Sequence, residues 1–265
     1  MNRVSLAVAS SFALLFGGSA GAQPLYSNGA FVTHPQAHVS GEDVSLAQDV
    51  TYPGYTALGF SAGPEWRLAD DFGVPTGQIW TIEAITLFAY QTGTEAPFTD
   101  ARVIVWRGVP DFAPSEKLFD GTASNVLGDS MPGPYRIAQS VQATGPFTDT
   151  ARRVQALTIE LPEPLVLEGG SYWVDWSLLG AQAANPVYTP PVSILGQAYT
   201  AVGGFARQKC PTTVVQPDCV PGSWRLFENG SSPNLVDLPF LLIGTSFLDS
   251  IFVDGFDTLP DDDDP

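Results

Sequence analysis

The sequence predicts an all-β protein: a single β-sandwich or jelly roll of mainly antiparallel strands. Helical periodicity is nearly absent after residue 22, whereas short apolar or alternating runs recur along the chain. These runs are separated by turn residues, and the 265 residues include 26 Gly and 23 Pro, which suits many short strands. Hydrophobic residues make up 44% of the chain and charged residues only 15%, a balance typical of a packed core.

The first 22 residues read as a secretory signal peptide. Arg3 supplies the positive start, residues 4–16 form the apolar run, and Ala20-Gly21-Ala22 is a small-residue cleavage site. A membrane anchor is the alternative, but the run is shorter than the ~20 residues that span a bilayer. We therefore expect an exported protein, secreted, periplasmic or at the cell surface, without a membrane span.

The exported part divides into an N-terminal extension at 23–47, a β-sandwich domain at 48–249 and an acidic tail at 250–265. Strands are predicted wherever an apolar or alternating run lies between turn residues. These segments are Tyr55–Ser61, Trp66–Val74, Ile79–Tyr90, Arg102–Trp106, Tyr135–Val141, Arg153–Leu161, Ser171–Leu178, Gly204–Arg207, Ser223–Phe227 and Pro239–Phe247. Residues 79–90 are apolar on both faces, which predicts a central strand.

The stretch WRLADDFGVP places an acid on an apolar face. In a strand, Asp70 shares its side with Leu68, Phe72 and Val74. A buried carboxylate without partners would cost several kcal/mol, so Asp70 must be hydrogen-bonded, metal-bound or at a bend. We favour a structural role in which Asp70, at a bulge or strand end, accepts backbone N–H groups and Asp71 faces Arg67 or water. Calcium binding and catalysis are the alternatives.

The two cysteines, Cys210 and Cys219, lie close together in KCPTTVVQPDCVPG. In an exported chain such a pair predicts a disulfide that closes a surface loop. A redox pair would favour the Cys-x-x-Cys spacing, and a zinc site would need more ligands than the loop offers.

Several motifs resemble those of a group of secreted bacterial β-sandwich proteins. They are Asp-Asp-Phe in LADDFGVP, Trp-Thr-Ile in QIWTIEA, Tyr-Gln-Thr-Gly in FAYQTG and Tyr-Trp-Val-Asp-Trp in GGSYWVDWSL. The likeness covers most of residues 60–245 and implies fold and export, but no reaction. The segment SIFVDGFDTLP is similar to the Ile-Phe-x-Asp-Gly-Phe-acid tails of exported gammaproteobacterial proteins. A sorting signal and a solvated acidic end are the two interpretations of this tail.

The net charge and the few candidate catalytic residues argue against several classes of function. The net charge of −17 argues against nucleic acid and anionic lipid, which require basic patches. The chain has only two histidines, His34 and His38, and no Gly-x-Ser-x-Gly elbow, so a serine or cysteine hydrolase is disfavoured. A glycosidase would need a facing carboxylate pair. The acids that could supply one are Asp70, Asp71, Glu83, Asp100, Glu160 and Asp175.

Two kinds of binding site remain as predictions. Calcium takes six to eight oxygen ligands and often holds the loops of exported β-proteins. The candidate ligands near strand ends are Asp70, Asp71, Asp100 and Asp120, although no Asp-x-Asp-x-Asp-Gly loop is present. Sugar rings stack well on indoles, and the candidate platform consists of Trp66, Trp173 and Trp224. The other three tryptophans, at positions 80, 106 and 176, are predicted core residues.

These observations favour an exported, non-catalytic surface or extracellular module that binds glycans or matrix. No cofactor is required in this interpretation, and calcium is the metal that the acids would suit. The competing functions are a polysaccharide hydrolase with an Asp/Glu pair and a purely structural envelope component.

Overall fold

The computed structural model describes residues 23–48, 57–197, 205–213, 219–227 and 235–248. The predicted signal peptide, the acidic tail and the start of the predicted Tyr55–Ser61 strand lie outside these residues. Every regular element in the described part of the chain is a β-strand, which confirms the all-β class. The strands are β1 (Gln23–Ser27), β2 (Val44–Ala47), β3 (Phe60–Ser61), β4 (Leu68–Gln91), β5 (Asp100–Arg107), β6 (Glu116–Asp120), β7 (Leu127–Ala138), β8 (Arg153–Leu179), β9 (Val187–Thr189), β10 (Arg207–Lys209), β11 (Trp224–Leu226) and β12 (Phe240–Leu248).

Two long strands, β4 and β8, pair with each other along nearly their whole length and organise the fold. Residues 68–74 of β4 pair with residues 170–176 of β8, and residues 79–89 pair with residues 155–168. Between these two blocks the register shifts, so the ribbon bends and contributes to two layers. The layers therefore share their two central strands.

Layer I has the strand order β11, β10, β4, β8, β5 and β6, with the first block of β4 at its centre. Layer II has the order β1, β12, β4, β8, β7 and β2, with the second block of β4 at its centre. All these pairings are antiparallel except that of β2 with β7. The predicted central position of residues 79–90 is confirmed, because β12 and β8 flank them.

The bend depends on a close backbone approach at Gly169. A Cβ atom at this position would lie 2.8 Å from the Cα atom of Thr76 and 3.0 Å from the carbonyl oxygen of Pro75. Real Cβ contacts are longer, so the glycine allows β8 to pass the Pro75–Gln78 excursion of β4. Within the second block the register shifts again, where residues 161–164 of β8 lie opposite the single residue Glu83.

The core lies between the layers. Leu68, Phe72 and Val74 face inward from β4, as the alternation predicts. The inward face of β8 carries Trp176, whose ring centroid is 6.5 Å from that of Phe240 in layer II. Phe72 also contacts Phe240, at 6.2 Å. These contacts between layers establish a sandwich, whose core is stabilised by the burial of aromatic and aliphatic side chains.

Two strands lie in the segment that we predicted as an N-terminal extension. Residues 23–27 form β1 and pair with β12, and residues 44–47 form β2 and pair with β7. The predicted domain boundary at residue 48 is therefore too late in the chain. Both strands are short and their pairing partners are distant in sequence, so local patterning gave no signal for them.

The predicted disulfide is present. Cys210 and Cys219 are bonded, with their Cα atoms 5.5 Å apart, and both are buried. The bond lies between the end of β10 and the start of β11, which pair with each other. It therefore closes the connection between two strands at the edge of layer I.

Candidate functional site

The three tryptophans predicted as one platform lie on two different surfaces. Trp173 points outward from layer I, on the side away from the core, but it is only 4% exposed. The guanidinium of Arg207 lies 5.3 Å above its ring. Trp224 packs against the same side chains as Trp173, which we call the outer cluster, and donates its indole N–H to Asp111 at 2.9 Å. The prediction of a joint platform is wrong, because neighbouring side chains already cover Trp173.

Trp66, the third predicted residue, lines an open groove of about 580 Å³ at the β10–β11 edge of layer I. The other lining residues come from β3, β10 and β11 and the chain beside them: Gly59, Phe60, Ser61, Gln208, Arg225, Leu226 and Phe227. The volume lies within the range of small-ligand sites. The groove is the candidate functional site.

The alternation of β10 and β11 explains why these side chains meet. Gln208 lies directly opposite Arg225 in the antiparallel pair, so both side chains leave the same face. Arg207 and Lys209, the neighbours of Gln208, leave the other face and join the outer cluster of Trp173 and Trp224. A shift of one residue in this register would exchange the two sets.

A hydrogen-bond relay fixes the polar part of the groove. Gln208 is 3% exposed, and its amide donates to the carbonyl oxygen of Ser61 at 2.9 Å. Its side-chain oxygen accepts a hydrogen bond from Nη2 of Arg225 at 2.8 Å. The Arg225 guanidinium lies 6.0 Å from the centre of the Trp66 ring. Phe60 and Phe227 contact each other below, with ring centroids 4.0 Å apart.

The groove thus combines a partly exposed indole, an apolar base and donors held in fixed positions. Such a combination can pack against the C–H face of a sugar ring and donate hydrogen bonds to its oxygens. Arg225 is the charged residue among the described lining residues.

Asp70 does not belong to this groove. It is fully buried, and its carboxylate accepts hydrogen bonds from the backbone N–H groups of Leu238 (2.6 Å) and Asp71 (2.9 Å). The side-chain amide of Asn28 donates a third, at 2.7 Å. Burial raises the pKa of Asp70 well above its usual value, and the nearby Asp237 adds to this effect. Asp70 therefore joins β4 to the segment before β12, the structural role that the sequence favours.

The position of Asp70 within β4 differs from the predicted bulge or strand end, since it pairs in register with Val174. Asp71 was predicted to face Arg67 or water. Arg67 instead donates to Asp175 at 2.6 Å, and Asp71 is partly exposed. The outer face of layer I thus contains its own buried ion pair, which the sequence did not indicate.

The four predicted calcium ligands do not form one site. Asp70 is enclosed in the core, Asp100 pairs with Arg102 at 2.6 Å, and Asp120 pairs with Lys117 at 2.7 Å. Hydrogen bonds from Lys117 and Thr122 lower the pKa of Asp120 to about 2. In the part of the chain that the structure describes, no three His, Cys, Asp or Glu side chains converge.

The predicted acids also include no accessible pair in the groove. Asp175 is 1% exposed and bound by Arg67 and by the indole N–H of Trp106. Burial raises its pKa, although Arg67 opposes this shift. Glu83 and Glu160 lie in layer II, beside the register shift between β4 and β8. None of these acids lines the groove.

The sequence did not identify Gln208, Arg225 or the Phe60–Phe227 pair as site residues. Alternation in residues 223–227 predicted a strand there, but nothing local indicated that it pairs with β10. Arg136 was also missed; it is fully buried and donates to the hydroxyls of Ser45 and Ser193.

Comparison with protein-family models and with curated proteins finds no match to this chain. None of the described residues forms a helix with the length and apolar character needed to cross a membrane.

Proposed function

We propose that the protein is an exported, non-catalytic surface or extracellular module that binds glycans through the groove beside Trp66. The observation that carries this proposal is the convergence of an indole, a guanidinium and a buried amide on one open groove of about 580 Å³. An open groove suits an extended chain of sugar rings better than a closed pocket does. The disulfide and the N-terminal sequence support export.

Binding is favoured over hydrolysis because of where the carboxylates lie. A glycosidase needs two carboxyl groups on either side of the scissile bond. The described lining residues include none, and the buried acids Asp70 and Asp175 are engaged by donors of the protein itself. Among the described residues, the groove therefore offers contacts for holding a sugar and no acid–base pair for cleaving it.

A glycan array probed with the exported protein, with and without calcium, tests the proposal. We expect retention of a glycan class without product, and the same result with calcium or chelator because the four predicted ligands do not converge. Release of reducing ends would establish the hydrolase instead. If the protein neither retains a glycan nor releases reducing ends, the remaining function is that of a structural envelope component.

Trp66→Ala identifies the groove as the site. Removing the indole should weaken binding of the retained glycan about tenfold, roughly 1.4 kcal/mol, while the melting temperature changes little. Trp224→Ala is the matched control, since it removes a partly exposed indole from the outer face of layer I. The measurement is calorimetry of the two variants beside wild type. Equal loss in both variants, or loss only in Trp224→Ala, would place the site elsewhere.

A further inference from the structure

We infer that the groove selects a glycan with carboxylate groups, a polyuronate, and that Arg225 is the residue that recognises the carboxylate. This inference rests on the proposed function and deepens it by naming the ligand class.

The first observation is that Arg225 has no carboxylate partner in the described part of the chain. Three other cations of layer I form ion pairs with acids of the protein: Arg67 with Asp175, Arg102 with Asp100 and Lys209 with Asp111. The Arg225 guanidinium instead donates to a neutral amide oxygen, that of Gln208. No acid among the described residues therefore matches its positive charge.

The second observation is that donors of Arg225 remain unused. Only Nη2 makes a hydrogen bond within the described residues, and Nε is buried without one. A guanidinium presents five N–H donors in a planar fork that matches the two oxygens of a carboxylate. Because Nε is buried, the terminal nitrogens of the guanidinium are the donors that an incoming uronate would engage.

The third observation is that the guanidinium is held in place before any ligand arrives. Gln208 is itself fixed by the carbonyl oxygen of Ser61, and the Trp66 ring lies beside the guanidinium. Such preorganisation reduces the entropy lost on binding. Stacking against an aromatic ring and bidentate recognition are also the two properties that distinguish arginine from lysine.

The net charge of −17 opposes binding of a polyanion only weakly at close range. At physiological salt the Debye length is about 8 Å, so distant acids are screened while a direct contact with Arg225 is not. The described lining residues include one cation, Arg225, and no acid. The negative overall charge should instead slow the association of the polyuronate with the protein at low salt, where the repulsion is less screened.

Calorimetry with hexagalacturonate and its fully methyl-esterified form tests the inference, because the two ligands share one backbone and differ in charge. Wild type should bind the acid form about tenfold more tightly than the ester. Arg225→Gln should remove this difference, and Arg225→Lys should keep only part of it. Arg107→Gln, at an exposed ion pair with Glu116, is the control and should keep the full difference.

Equal affinity of wild type for the two forms overturns the inference, and so does a difference that survives in Arg225→Gln. If Arg225→Gln does not fold, the wild-type comparison and Arg225→Lys still decide the matter. Failure of both forms to bind, while the array retains a neutral glycan, overturns the polyuronate assignment and leaves glycan binding intact. Failure of every glycan on the array overturns the proposed function as well.

Discussion

Asp70→Leu is expected to lower the free energy of unfolding by about 3 kcal/mol, since a buried donor left without an acceptor costs about 1–3 kcal/mol and two partly buried donors lose their acceptor as well. The donors concerned are the backbone N–H groups of Leu238 and Asp71 and the side-chain amide of Asn28. The larger leucine side chain would also crowd the core between the layers. Urea unfolding followed by circular dichroism measures the loss.

Asp70→Asn is the matched variant, because it keeps the shape of the side chain and one acceptor oxygen. The NH₂ group of the asparagine must face one of the donors that bind the carboxylate in wild type. A smaller loss of about 1–2 kcal/mol is therefore expected. The order of stability should be wild type, then Asp70→Asn, then Asp70→Leu. Stabilisation of wild type by calcium that disappears in Asp70→Asn would instead establish a metal site.

The stability of wild type and that of Asp70→Asn should depend differently on pH, because the pKa of Asp70 is raised in the folded protein. A carboxyl group whose pKa is higher in the folded state than in the unfolded state binds its proton preferentially on folding. Its contribution to stability is fully present below the unfolded pKa of about 3.9 and is lost as pH rises through the folded pKa. Wild type should therefore lose more stability than Asp70→Asn as pH rises. Parallel curves for the two proteins would contradict the raised pKa.

Arg136→Met should destabilise the protein by about 2–4 kcal/mol, because two carbonyl oxygens and two hydroxyls lose a donor and a buried polar group left unsatisfied costs about 1–3 kcal/mol. The guanidinium donates to the carbonyl oxygens of Ala57 and Leu58 and to the hydroxyls of Ser45 and Ser193. It thereby joins β2, β7 and two connecting segments at one point. Burial lowers its pKa to about 10, so it remains charged at neutral pH.

The control for Arg136 is Arg107→Met, at an exposed position where substitutions usually change stability by no more than about 0.5 kcal/mol. Both variants are measured by urea unfolding beside wild type. A loss below about 1 kcal/mol in Arg136→Met would show that the surrounding oxygens find other donors, such as water.

Alternation along single strands was readable from the sequence because it depends only on neighbours. The inward side of residues 66–74 and that of residues 172–178 were both predicted, and the structure confirms them. Asp70 followed from the same reasoning, since an acid on an apolar face requires hydrogen-bond donors. The cysteine pair was equally local, with a sequence separation of 9.

Continuity of the long strands was not readable in the same way. Pro75 and Gly77 suggested that residues 66–74 and 79–90 are separate strands, and residues 162–170 suggested a similar interruption. The structure keeps β4 and β8 paired on both sides of these residues and shifts the register instead. Turn residues therefore marked bends within strands, because the long-range pairing partner decides whether a chain leaves the sheet.

The candidate groove depends on contacts that no local pattern encodes. Gln208 faces Arg225 across 17 residues of sequence, and it reaches Ser61 across 147. Trp66 was identified from its residue type alone, and the same reasoning wrongly added Trp173. Exposure separates the two: Trp173 is 4% exposed within its cluster on the outer face, whereas Trp66 is partly exposed.

NMR of the tryptophan indole N–H groups, during titration with the array-retained glycan, tests whether the groove beside Trp66 is the glycan site. Trp66→Phe assigns the Trp66 resonance. We expect this resonance to shift on saturation while those of the buried Trp106, Trp173 and Trp176 stay in place. A shift confined to Trp173 or Trp224, or saturation of binding with the Trp66 resonance unmoved, would contradict it.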